Sequence, residues 1–133
     1  MTRSRVLLAA AAVGALLFAT GCSQKYSAER DGKNLGQAVC DLRDAETAEA
    51  LDDINEQLDD LGSKYAFYTA EDRADIQNNL ADLAEHAIQG QPNLAQQDLA
   101  VLERSAKNIA EDVNETAQAA WEGLLEGLSE CTQ

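Results

Sequence analysis

The chain has 133 residues, with 10 Lys and Arg against 24 Asp and Glu, a formal charge of −14 and a sequence isoelectric point near 4.2. An acidic balance of that size argues against binding to phosphate backbones, which needs clustered Lys and Arg, and against lying flat on anionic lipid. With proline used once and no strand-like runs of Val, Ile and aromatics, the chain reads as helices separated by clear punctuation.

In chain order, Thr2-Arg3-Ser4-Arg5 places two positive charges ahead of an apolar run from Val6 to Phe18. That is the pattern of a secretory signal, a basic region followed by an apolar one. The run of about 13 residues is shorter than the roughly 20 needed for a permanent membrane-spanning helix, so cleavage is expected. The next four residues are Ala19-Thr20-Gly21-Cys22. Here the chain resembles the bacterial lipoproteins, whose lipobox ends in a small residue, Gly or Ala, and the lipidated cysteine; Ala19 stands where that family more often has Leu. The resemblance implies a diacylglycerol on the Cys22 thiol, cleavage between Gly21 and Cys22, and acylation of the new amino terminus. A second acyl chain matters, because one chain alone gives marginal membrane binding.

Three segments follow: a cleaved signal over residues 1–21, a lipidated N-terminus with a flexible polar tether over 22–33, and an acidic helical domain over 34–133. Removing 21 of 133 residues leaves 112, and the loss of Arg3 and Arg5 leaves eight basic against 24 acidic residues, a charge of −16. That length suits one domain with a modest core. The expected location is the extracytoplasmic face of a cell membrane, with the body standing off on its tether. Once Cys22 carries lipid, Cys40 and Cys131 remain, in a compartment where disulfides persist, and they are expected to pair. Two separate cysteines on buried helix faces are the alternative.

The domain is expected to be all-α, a small antiparallel bundle of about three helices with a long C-terminal helix, stapled by that disulfide. The first helix spans about Leu35 to Leu61, with Leu51, Ile54, Leu58 and Leu61 at helical spacing. Leu35, Val39 and Leu42 lie about a quarter turn away, which predicts a wide buried face or a kink near Asp44–Thr47. The second helix opens at Thr69, a capping residue with Asp72 three positions on, and carries Ile76, Leu80, Leu83 and Ala87. Gly90 stops it, Pro92 prevents its continuation, and Asn93 with Gln96 opens the third helix. Leu99, Leu102, Ala106, Ile109, Val113, Ala117, Trp121, Leu124, Leu128 and Cys131 keep one face without a phase break, which predicts one rod of about 55 Å. If the cysteines pair, with Cys40 near the start of the first helix, the first and third helices should run antiparallel.

Chemistry-bearing residues are few. His86 is the lone histidine, four residues after Asp82, and reads as a solvated surface group; no serine or cysteine sits in a nucleophile motif. Adjacent carboxylates such as Asp52-Asp53, Asp59-Asp60 and Glu111-Asp112 point apart on a helix and form a hydrated face. The Asp-rich stretch from Asp41 to Asp60 lacks the central Gly and ligand spacing of a calcium loop, and no metal or other cofactor is expected. Asn114-Glu115-Thr116 matches a glycosylation sequon but falls inside the expected long helix. Tyr65, Phe67 and Tyr68 form an aromatic cluster between the first two helices, either anchors for a partner or a cap on one end of the core. Trp121 belongs to the core stripe.

The function expected from this pattern is that of a non-enzymatic, lipid-anchored interaction protein: an adaptor, accessory subunit or regulator of a cell-envelope complex. Its partners would be the membrane, through the anchor, and an envelope protein, with self-association through the long amphipathic rod and no nucleic acid. A small lipid-, peptide- or cation-binding lipoprotein is the alternative.

Overall fold

A computed structural model describes the backbone over residues 12–132 and side chains over 24–132. Five helices follow one another: α1 (Ala12–Leu42), α2 (Glu49–Tyr65), α3 (Ala70–Ile88), α4 (Pro92–Ala110) and α5 (Glu115–Thr132), with no strand among the described residues. The expected first helix is divided, and so is the expected rod.

Each break has a local cause. After Leu42 the amides of Arg43, Asp44 and Ala45 bond to carbonyls three residues back, tightening the end of α1 before the chain reverses into α2. The change of stripe at Asp44–Thr47 therefore marks a full turn and not a kink. α2 carries Glu49 and Asp52 in its first turn, where the helix dipole favours them, and ends on Ala66 at φ 52° and ψ 48°, the left-handed conformation usual just past a helix end. As expected, Thr69 caps α3, its Oγ1 accepting from the Asp72 amide at 3.1 Å, and Gly90 at φ 70° ends the connection. Pro92, not Asn93, begins α4, because proline at the first helical position gives up an amide that has no partner there.

Asn114 breaks the expected rod. Its side-chain oxygen accepts from the Ala117 amide at 2.9 Å, a capping bond that starts α5. The apolar stripe keeps its phase across the reversal because α4 and α5 both turn that face to the same core. Phase alone does not distinguish a rod from a hairpin. The sequon residue Asn114 is consequently exposed at a turn and not inside a helix.

Cross-links between neighbours give the direction of every helix. Tyr65 reaches Asp31, so α2 returns along α1. His86 with Asp98 and Asn79 with Ser105 make α3 and α4 an antiparallel hairpin. Gln96 reaches the Cys131 carbonyl, and α4 and α5 are joined by four residues at their other ends. Between α1 and α5, Lys25 meets Glu115, Lys33 meets Glu126, Gln37 meets Glu130 and Cys40 meets Cys131. Numbers rise together along that pair, so α1 and α5 run parallel, in contrast to the antiparallel pairing expected from three helices. An up-and-down chain with an odd number of helices leaves its first and last members parallel. Cys40 lies near the end of α1, not near the start of the first helix, and so finds Cys131 at the end of α5.

The expected flexible tether over 22–33 is also corrected, because residues 24–33 lie in α1 and are packed. Ala28 is fully buried, and Lys25 and Lys33 bridge to α5. A ridge explains this packing. Ala28, Gly32, Gly36 and Cys40 recur every fourth residue on α1, as do Ala119, Gly123, Gly127 and Cys131 on α5. A methyl added at Gly32 would overlap the Ala120 carbonyl oxygen, at Gly36 that of Leu124, at Gly123 that of Glu29 and at Gly127 that of Lys33. In each case the glycine meets a residue three positions before a glycine of the facing helix, so the contact repeats with a local two-fold character. Small residues at this spacing let two backbones approach closely, with Cα–H groups facing carbonyls.

The remaining core is mostly aliphatic, with Phe67 and Trp121 its buried aromatic members. Leu35, Val39 and Leu42 of α1, Leu58 of α2, Ile76, Leu80 and Leu83 of α3, Leu99 and Leu102 of α4, and Leu128 of α5 are buried, with no buried polar or charged residue among those described.

Candidate functional site

The residues singled out from the sequence fall at two ends of the bundle. The near end holds the α2–α3 and α4–α5 connections and the first described side chains of α1. The far end holds the α1–α2 and α3–α4 connections and the disulfide.

The side chain of Cys22 lies outside the described side chains; its backbone belongs to α1. Two and three residues on, Gln24 and Lys25 are exposed at the near end, and Lys25 bridges to Glu115, the first residue of α5, at 3.0 Å. Gln24 shares a surface depression with Ser63, Lys64, Tyr65, Ala66, Asn114, Glu115 and Thr116, which places both connections around the start of the packed part of α1. Tyr26 beside it is 68% exposed.

Cys40 and Cys131 are joined, with Cα atoms 5.8 Å apart and a separation of 91 positions in sequence. Arg43 and Gln96 both donate to the Cys131 carbonyl, at 3.3 and 3.0 Å, and tie the α1–α2 connection and α4 to this end of α5.

The aromatic cluster splits. Phe67 has no exposed surface: it stacks on Trp121 with ring centroids 3.9 Å apart, and the Trp121 indole N–H donates to the Phe67 carbonyl at 2.6 Å. It is a core plug and does not offer an anchor to a partner. Tyr65 donates to Asp31 Oδ2 at 2.9 Å and Tyr68 to the Leu58 carbonyl at 3.1 Å, both half-buried. Burial raises both phenol pKa values, with the carboxylates of Asp31 and Asp59 adding to the effect. Tyr65 thereby ties α2 to α1, and Tyr68 ties the α2–α3 connection back onto α2.

His86 pairs across the α3–α4 hairpin and not with Asp82. Its Nδ1 lies 2.5 Å from Asp98 Oδ2, and that hydrogen bond raises the imidazole pKa. Asp59 is held by Arg73, whose Nη2 and Nε reach one carboxylate oxygen at 2.7 and 2.9 Å. Asp52, Asp53, Asp60, Glu111 and Asp112 are exposed, as expected of a hydrated face. Among the described residues, no group of three His, Cys, Asp or Glu is arranged to hold a metal ion, and no helix is long and apolar enough to cross a membrane.

A cleft of about 150 Å³ between α1 and α2 is lined by Asp31, Asn34, Gln57, Asp60, Leu61 and Lys64. With Leu61 its one apolar wall, it lacks the apolar lining that gives small-molecule sites their affinity. Ile88 and Leu94, 43% and 38% exposed, flank the far-end turn. Comparison with known proteins adds no analogy: no family model, no curated protein and no solved structure matches this chain.

Proposed function

We propose that the protein is a lipid-anchored, extracytoplasmic interaction protein, an adaptor, accessory subunit or regulator of a cell-envelope complex, with no catalytic activity of its own. The observation that carries this reading is Ala19-Thr20-Gly21-Cys22 placed directly after a basic and then an apolar segment. The Cys40–Cys131 bond supports it, since such bonds persist in oxidising compartments. Tight packing of α1 on α5 and the buried Phe67–Trp121 stack support a rigid scaffold more than a ligand-opening bundle. The second reading, a cation-binding lipoprotein, draws on Asp31 and Asp60 in the α1–α2 cleft.

Intact mass spectrometry of the protein from its native membrane, beside a Cys22→Ala form, tests the anchor. The expected species begins at Cys22, carries added acyl mass and gains two hydrogens on reduction. An unlipidated chain would remove the foundation of the proposal. Crosslinking in native membranes should then recover a reproducible protein partner; recovering none sinks the interaction role, and a cation retained in native mass spectrometry favours the second reading.

A further inference from the structure

The proposed anchor and the folded body adjoin along the chain. We infer that the near end of the bundle, comprising Tyr26, the Ser63–Ala66 connection and the Asn114–Thr116 turn, is apposed to the outer surface of the lipid bilayer, with the disulfide end pointing away. The inference rests on lipidation of Cys22.

Three observations carry it. First, no tether separates anchor from body. Lys25 is already bridged to Glu115 and Ala28 is fully buried, and the three steps from Cys22 to Lys25 reach at most about 10 Å when extended and about 4.5 Å as helix. The body is held against the surface to which the acyl chains attach. Second, the depression around Gln24 brings both near-end connections to the level of the attachment point. The far-end turn at Gly90 lies a helix length away, about 27 Å for the 18 residues of α5. Third, the flank resists lying down. Glu49, Asp52, Asp53, Glu56, Asp59 and Asp60 are all exposed along α2, and anionic headgroups repel such a face. At the near end, Lys25 and Lys64 stand beside Glu115, so charge is mixed there and attachment, not electrostatics, sets the apposition. Tyr26, largely exposed beside the attachment point, is a residue type suited to the headgroup layer.

The test uses the mature lipidated protein in phosphatidylcholine vesicles containing an acceptor-dye lipid. A donor dye is placed on Ser63→Cys at the near end or Asn93→Cys at the far end, both positions being exposed, with the native disulfide left intact. The Ser63 donor should be quenched severalfold more than the Asn93 donor, with no change on adding salt. A Gly-Ser insert of about ten residues between Ser23 and Gln24 should level the two. Lipid on Cys22 with equal quenching at both sites, or with Asn93 the more quenched, overturns the inference and leaves the anchor standing. Absence of acyl mass on Cys22 from native membranes overturns the anchor and the inference with it.

Discussion

His86 shows how a single side chain changes meaning once the chain folds. On one helix it faces Asp82 at a spacing of four, but packing brings Asp98 from the next helix into direct contact. The hydrogen bond to the accepting Asp98 carboxylate raises the imidazole pKa above its usual 6.5. A raised folded-state pKa gives stabilisation that is fully present below the unfolded value and is lost as pH rises through the folded one. His86→Gln should therefore lower the melting temperature at about pH 5.5 and have progressively less effect toward about pH 9, read by thermal unfolding across that range. A variant with the same effect at every pH would show that the pair does not titrate as described. Ala66 is the other residue whose role needs the fold. At φ 52° it holds a conformation costly for any residue with a Cβ, and its side chain is exposed. Ala66→Gly should raise stability by about 0.5–1 kcal/mol in urea unfolding, the strain removed exceeding the entropy that glycine adds to the unfolded chain.

Among the elements, α3 and its hairpin with α4 were legible because their signals are local: Thr69 as cap, Gly90 as stop and Pro92 as start act within one turn of where they stand. α1 was not. Its N-terminal packed section has few large apolar residues, and a search for hydrophobic periodicity gives no weight to Gly32, Gly36, Gly123 and Gly127. Their usefulness lies in what they lack, and the facing backbone that needs the space is about 90 residues away in sequence. The signal was present as Ala-x-x-x-Gly-x-x-x-Gly-x-x-x-Cys repeated at residues 28–40 and 119–131. Gly32→Ala should lower stability by about 2–3 kcal/mol, since the methyl would enter the Ala120 carbonyl and the two helices would have to part. Helix propensity alone predicts a gain of about 1 kcal/mol from the same change, so the sign of the measured difference decides whether the close approach exists.

For the whole molecule, the parallel α1–α5 pair joins the first and last described helices, and the disulfide locks it over a separation of 91 residues. On the loop-entropy model that lock contributes about 4–5 kcal/mol. Replacing Cys40 and Cys131 together by Ser should lower the urea midpoint accordingly, while the helical circular-dichroism signal is retained because the glycine ridge and the aliphatic core remain. Loss of helical signal would mean that the covalent bond, and not the ridge, holds α1 on α5.

The sequence by itself determined the helical class, the caps and stop of the middle hairpin and the acidic surface, because each follows from local chemistry or from simple counting; the pairing of Cys40 with Cys131 was an expectation that the structure bears out. Only the tertiary structure decided that five helices form where three were expected, that residues 24–33 are packed helix, that α1 and α5 run parallel, and that Phe67 is a plug under Trp121 and not a free anchor. Those outcomes depend on which distant backbone or ring a side chain meets. An apolar stripe that keeps its phase through a reversal, and a glycine that matters by its missing methyl, carry no mark of that partner in their immediate neighbours.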